Sequence, residues 1–192
     1  MTMTKLQRLF QPGRAQVQLG RAQVLAMLLT LVLLSGCAVT DVHRGDALQA
    51  QARWIQLPIA NYAETPLAGQ RAESILATLL HSQGIASLGR YAPSESGGLL
   101  DFNADSIYQE ALDSARSEGY RYGVTGAVEE WQYKAGLDGE PAVGISLRVV
   151  DIASGDTLWS ASGARTGWGY STASGTAQKL MADMIGDLPV QK

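Results

Sequence analysis

Apolar and polar residues follow two periods along this chain, and each period predicts an element. Strict alternation predicts half-buried strands, and apolar residues three and four apart predict amphipathic helices. In "RWIQLPIANY", Ile55, Leu57 and Ile59 alternate with Gln56 and Pro58, which predicts a first strand. Pro58 cannot donate a ladder hydrogen bond, so an edge or a bulge is expected there. Thr65-Pro66 predicts a helix start, with Thr65 as N-cap and Pro66 at the first helical position. Ala72, Ile75, Leu76, Leu79 and Leu80 form its apolar stripe, and Gly84 is the expected C-cap. "IASLGRY" predicts a short second strand and "APSESGGLLDFN" a loop. A second helix is expected from about Ala104 to Glu118, buried along Ala104, Ile107, Tyr108, Ala111, Leu112 and Ala115 and closed by Gly119.

The remainder predicts a meander. "YRYGVTGAVEEWQYK" is a long strand, and Asp138-Gly139 in the turn "GLDGEP" is a hairpin signal. "AVGISLRVVDI" alternates at Val143, Ile145, Leu147 and Val149, and "ASGD" turns the chain into "TLWSASGARTGWG". A final helix starts near 171–174, with its stripe along Ala177, Leu180, Met181, Met184 and Leu188. The expected class is α/β, with helices packed on a mixed sheet in the order β-α-β-α-β-β-β-α. The last three strands form an antiparallel meander.

The first 36 residues read differently. Lys5, Arg8, Arg14 and Arg21 precede an apolar run from Val24 to Leu34, and no acid occurs before Asp41. The run falls short of the roughly 20 residues a spanning helix needs. Its length and flanks fit a secretory signal peptide. It ends at Leu34-Ser35-Gly36-Cys37, which holds the chain's single cysteine and resembles the lipobox of bacterial lipoproteins. That resemblance implies cleavage before Cys37 and acylation of its thiol and new amine, a palmitate-type anchor. Several acyl chains hold a protein on a membrane stably. Ala38 follows, where such lipoproteins often carry an aspartate if they stay at the inner membrane, so the outer membrane is the expected address. "AVTDVHRGDALQAQAR" is polar and without strong period, and reads as a tether. The expected organisation is therefore a signal peptide over 1–36, a lipidated tether over 37–53 and one domain over 54–190.

Removing the signal changes the charge. The whole chain has 15 basic and 18 acidic residues, and four of the basic ones lie before Cys37, leaving 11 against 18, a net −7. Such a domain does not suit nucleic acid or anionic headgroups, and suits a cationic ligand or simply a soluble surface.

Several stretches resemble a known family. "WIQLPIANYAETP" is similar to the opening strand and turn of the CsgG/TolB-N/LpoB-like group of periplasmic lipoprotein domains. "ARSEGYRYGVTGAVEEW" resembles its helix–glycine–strand signature, with Arg121 or Tyr122 standing near the group's frequent aspartate as a departure. "LRVVDIASGDTLWS" resembles its closing hairpin. The "NYAETPLAGQRAE" segment and the Gly-Tyr-rich tail are most similar to the PelC family of outer-membrane lipoproteins in Pel exopolysaccharide secretion. This resemblance implies a homo-oligomeric ring on the periplasmic face of the outer membrane, lying beneath a β-barrel export subunit and guiding a cationic polysaccharide. Candidate guiding acids in turns and loops are Glu95, Asp101, Asp138, Glu140 and Asp156. Trp131 and Trp159 are expected under helices. Trp168 and Tyr170, in a glycine-flanked segment, suit either a membrane or barrel interface or the core.

Catalytic chemistry finds no footing. His43 and His81 have no paired spacing, no metal-ligand cluster or cofactor motif is present, and Gly97–Gly98 lacks the G-K-[ST] of a phosphate loop. Thr176-Ala177-Gln178-Lys179 departs from S-x-x-K at its first residue. Glu129 and Glu130, as strand neighbours, are expected to face opposite ways. A non-enzymatic assembly protein is the leading expectation. The runner-up is an LpoB-like lipoprotein that activates a peptidoglycan synthase, and a curli-type pore or a hydrolase stand behind it.

Overall fold

A computed structural model describes residues 38–92, 104–135, 139–168 and 170–191. The signal region, Cys37, the 93–103 loop with Glu95 and Asp101, and Asp138 lie outside the described residues. The strands are β1 (Ala38–Arg44), β2 (Leu48–Gln49), β3 (Trp54–Asn61), β4 (Leu88–Arg90), β5 (Tyr122–Tyr133), β6 (Pro141–Asp151), β7 (Thr157–Thr166) and β8 (Val190–Gln191). The helices are α1 (Ala68–Ser82), α2 (Ala104–Ser117) and α3 (Ala173–Gly186). Six strands make one sheet in the order β1-β7-β6-β5-β3-β4, and β2 and β8 form a separate parallel pair. β3 runs parallel to β4 and β5, while β5, β6 and β7 form the expected antiparallel meander. The expected helix-and-strand order holds from β3 to α3, and β1, β2 and β8 are additions to it.

The largest addition corrects the tether. Residues 38–44 pair antiparallel with β7, from Ala38 opposite Arg165 to Arg44 opposite Trp159. Leu48 and Ala50 are buried, and the Leu48 and Ala50 N–H groups donate to Pro189 and Gln191 carbonyls at 2.8 and 2.9 Å. The segment was polar enough to read as a linker because only Val42 of β1 packs on the core. Its backbone partner lies far along the chain, where no local pattern announces it.

One face of the sheet is covered by α1 and α3. Trp54, Val124, Val128, Trp131, Ile145, Leu147 and Trp159 meet Leu76, Leu80, Leu180, Met181 and Met184 there, so Trp131 and Trp159 pack under helices as expected. The opposite face carries a smaller cluster in which Ile55, Leu57, Val150 and Ile152 pack against Ala111, Leu112 and Ala115 of α2.

Two helices end alike. After α1, Gly84 at φ 91 lets its own N–H reach the His81 carbonyl (3.0 Å) and lets the Ile85 N–H reach that of Leu80 (3.3 Å). After α2, Gly119 at φ 73 arranges the same pair of bonds from Gly119 and Tyr120 to Arg116 and Ala115. Both are glycine C-caps that satisfy orphan carbonyls. The start of α1 differs from expectation. The helix begins at Ala68, and Leu67 stands before it in a left-handed conformation (φ 62) without a side-chain cap. The Thr65 hydroxyl instead donates to the Trp131 carbonyl on β5, so a long-range bond takes the local capping residue. α3 is capped by Thr172 Oγ1, which accepts from the Gly175 N–H at 3.0 Å. At Pro58 the β3–β5 register shifts between Gln56 and Ile59, the bulge that proline required. The Glu73 carboxylate on α1 accepts from the Ile59 N–H (3.1 Å), and Thr125 Oγ1 donates to the Pro58 carbonyl (2.6 Å).

Candidate functional site

α2 covers only the β3 side of the second face. Beyond it the strands present small polar side chains in register. His43, Ser160, Arg148 and Thr125 form one cross-strand row, and Asp41, Ser162, Ser146 and Ala127 form the next. Val39, Ala164 and Gly144 begin a third row, which reaches β5 at Glu130. With α2 as one wall, the first two rows line a trough of about 1250 Å³, and the third lies outside it.

The trough's electrostatics follow from a second bulge. The β5–β6 register shifts between Val128 and Glu130. A Cβ added at Gly144 would lie 3.3 Å from the Cβ of Glu130 and 3.6 Å from that of Glu129. Both carboxylates therefore leave the sheet on one face, which corrects the expectation that they diverge. Glu130 Oε1 accepts from Gln132 Nε2 at 2.8 Å, and Glu129 Oε1 from Ser146 Oγ at 3.4 Å. Asp41 adds a third carboxylate on the same face. The Arg148 guanidinium stacks over the Tyr108 ring of α2 at 5.0 Å. On the β4 side of the trough Arg90 pairs with Glu73 of α1 at 2.8 Å. Tyr91 lines the same wall, and burial, with the Glu110 carboxylate beside it, pushes its phenol above the ordinary value, so it stays protonated.

A second feature occupies one end of the sheet. The large hydrophobic side chains exposed among the described residues are Val39, Tyr62, Leu67, Tyr133, Trp168 and Tyr170. Val39 sits at the start of β1, Tyr62 and Leu67 just past β3, Tyr133 at the end of β5, and Trp168 and Tyr170 just past β7. Ala38 opposite Arg165 and Pro141 opposite Tyr133 show that these termini lie at the same end. Trp168 is 59% exposed and Tyr170 fully so, which excludes the core reading for both. Sequence reading found these two and missed the other four, each of which sits at or near a strand terminus that only the register brings together.

The two candidate acids among the described residues do not gather. Glu140 is half-buried at the β5–β6 hairpin, at the aromatic end, where its carbonyl accepts from the Lys134 N–H at 2.8 Å. Asp156 is exposed in the β6–β7 turn at the opposite end. Glu95, Asp101 and Asp138 lie outside the described residues, as does Cys37. His43 stands on the edge strand. His81 closes α1, with Nδ1 2.9 Å from the Ile85 carbonyl. Among the described residues no group of acids, histidines or cysteines has the geometry of a metal site, and no helix is long and apolar enough to cross a membrane.

No family model matches the sequence, and no curated protein sequence matches it. Solved structures do. The PelC dodecamer from Paraburkholderia phytofirmans is 40% identical, with a TM-score of 0.69, and the match covers 81% of this chain and 100% of that one. A single-substitution variant of that dodecamer in another crystal form matches at 39% identity with the same coverage and TM-score. The LpoB C-terminal domain from Salmonella enterica is far more distant, at 17% identity and a TM-score of 0.43 over 62% of this chain and 86% of that one. Fold and trough define an α/β/α sandwich whose second sheet face is only half covered. The full-length likeness to the dodecamer subunit then fixes its place: the chain belongs to the PelC family.

Proposed function

We propose that this chain is a lipoprotein, acylated at Cys37, that forms a homo-oligomeric ring on the periplasmic face of the outer membrane and guides a cationic exopolysaccharide to a β-barrel export subunit. Family membership carries the reading, since a relative matched over its whole length is a dodecamer. Two further observations support it. β1 begins at Ala38, at the sheet end that exposes Trp168 and Tyr170, so a lipid on Cys37 would attach one residue before that strand. Amphipathic rings of this kind suit the membrane–water boundary. The excess of acids after residue 36 gives each subunit a negative field, which a ring would repeat around one axis.

Activation of a peptidoglycan synthase would need a long tether after Cys37, and the strand starting at residue 38 leaves none. The test is export of polymer from cells whose chromosomal copy is replaced by Cys37→Ser or by a variant with its exposed acids changed to amides. Loss of outer-membrane fractionation in the first and of export in the second is expected. Normal export from both would overturn the reading.

A further inference from the structure

We propose that β1 is a detachable strap: docked on β7 it holds the aromatic end of the domain at the membrane, and released it becomes a short leash. The inference rests on the lipid-anchor reading above and adds a second position of the domain relative to its anchor.

β1 is tied to the fold almost entirely through its backbone. It is an edge strand with β7 as its one neighbour in the sheet. None of residues 38–43 is buried, and Val42 of β1 is its one contribution to the core. Asp41 and His43 make no side-chain hydrogen bond or ion pair among the described residues. Releasing such a strand exchanges ladder bonds for bonds to water and returns backbone entropy, with little apolar surface re-exposed.

The seat under β1 is close-fitting and carries an unsatisfied group. A Cβ added at Gly163 of β7 would lie 2.6 Å from the Val39 carbonyl oxygen, and one at Gly45 would collide with that of Leu158. Both glycines let the two backbones approach closely. Trp159, the partner of Arg44 in the ladder, is fully buried, and its indole N–H has no hydrogen-bond partner among the described residues. A buried donor left unpaired is destabilising. Lifting the neighbouring strand brings water to that edge of the sheet, so the penalty falls on the docked state.

Release stops at a clasp. Leu48 and Ala50 are buried and their N–H groups bond to the Pro189 and Gln191 carbonyls, while Trp54 Nε1 donates to the Gln49 carbonyl at 3.0 Å. None of these partners belongs to β7, so the core stays closed when β1 leaves. Residues 38–47 then span at most about 35 Å. The attachment point also moves. β1 starts at the aromatic end and finishes opposite Trp159, near the start of β7, so Leu48 follows the far end of the sheet. A docked strap ties the aromatic end to the lipid, and a released one lets the domain tip and stand off.

The experiment uses the full chain in phosphatidylethanolamine–phosphatidylglycerol vesicles, with acyl groups on Cys37 checked by mass spectrometry. Amide hydrogen exchange is then followed. The bonded amides of 38–45, including the Gly45 N–H on the Leu158 carbonyl, should exchange at least about a hundredfold faster than those of β6. Asp41→Cys with Ser162→Cys, opposite one another in register, makes an oxidisable lock. Oxidation should slow the 38–45 amides at least about tenfold and leave β6 unchanged. Gly45→Ala, which crowds the Leu158 carbonyl, should speed them about tenfold, again without moving β6. A dye on Ala153→Cys, exposed in the β6–β7 turn at the far end, should transfer energy more efficiently to a headgroup-labelled acceptor when Gly45→Ala is added. An acylated Cys37 with 38–45 exchanging in step with β6 overturns the strap and leaves the anchor standing. So does a lock that slows both regions equally, or energy transfer that Gly45→Ala does not change. A vesicle-bound chain without acyl groups on Cys37 overturns the anchor reading, and the leash with it.

Discussion

The two faces of the sheet come from the same strands and differ in what their alternate residues do. On the α1–α3 side the inward positions of β5, β6 and β7 are Val124, Val128, Ile145, Leu147, Val149 and Trp159, all buried. One residue further along each strand the other face shows Thr125, Ala127, Ser146, Arg148 and Ser160. Only the short apolar patch under α2 interrupts this polar face. The first face specifies the fold through burial. The second is left small and mixed in charge, a composition that contributes little to the stability of a single chain and leaves room for a ligand or a neighbour.

That contrast is most sharply tested where burial is complete. Leu180→Ala on α3 removes a side chain with no exposure among Trp159, Leu147 and Met184. Truncations of this kind cost about 3 kcal/mol or more. Denaturant unfolding should show a midpoint lowered accordingly; a loss well under 1 kcal/mol would mean the α3 face is not the main core. Leu112→Ala tests the smaller cluster. It is nearly buried beside Ile55, Leu57 and Val150, with open trough close by into which neighbours can relax. A loss of about 2 kcal/mol is expected. Equal losses from the two truncations would erase the asymmetry between faces.

Between the faces stands Glu73, which joins α1 to the β3 bulge and to Arg90. Glu73→Ala leaves the Ile59 N–H without its acceptor and frees an arginine whose side chain is already 60% exposed. The backbone loss dominates, since the exposed half of the ion pair is screened, and a cost of about 1 to 2 kcal/mol follows. Glu73→Gln keeps an acceptor for Ile59 and should recover most of it. If Gln is as damaging as Ala, the charge on Arg90 matters more than the bulge.

Much of this architecture was legible because its causes are local. The stripe from Ala72 to Leu80, the glycines at 84 and 119, and the alternation through β6 each carry their own signal within a few residues. What escaped depends on distant partners. β1 has one core-facing residue, Val42, so its strand character lies in a backbone ladder to β7. Thr65 looked like a cap because the motif is correct locally, and a carbonyl 66 residues away takes its hydroxyl. Glu129 and Glu130 follow simple alternation until the bulge turns both to one side. The trough is less legible still. It is assembled from single small residues on β1, β5, β6 and β7, none of which is unusual where it stands. The exposed aromatic end shares that origin, apart from Trp168 and Tyr170, which their glycine-flanked context marked out.

The smallest expected effect is also the one that separates the faces most cleanly. Ser162 is exposed, lies between Asp41 and Ser146 in its cross-strand row, and makes no side-chain hydrogen bond among the described residues. Ser162→Ala deletes one oxygen from a position that supports no packing in the isolated chain. Its cost to folding should stay within about 0.5 kcal/mol, the range of surface changes away from caps, cavities and networks. On β7 the next position along, Ala161, is 3% exposed and faces α3, so Ala161→Ser places a hydroxyl among apolar neighbours. A buried hydroxyl without a partner costs about 1 to 3 kcal/mol. Adjacent residues exchanging the same two side chains should therefore differ in unfolding free energy by at least about 0.5 kcal/mol. Measuring both in one denaturant series checks it. If the two substitutions cost the same, the strand does not separate a packed face from an open one, and the trough loses its physical basis.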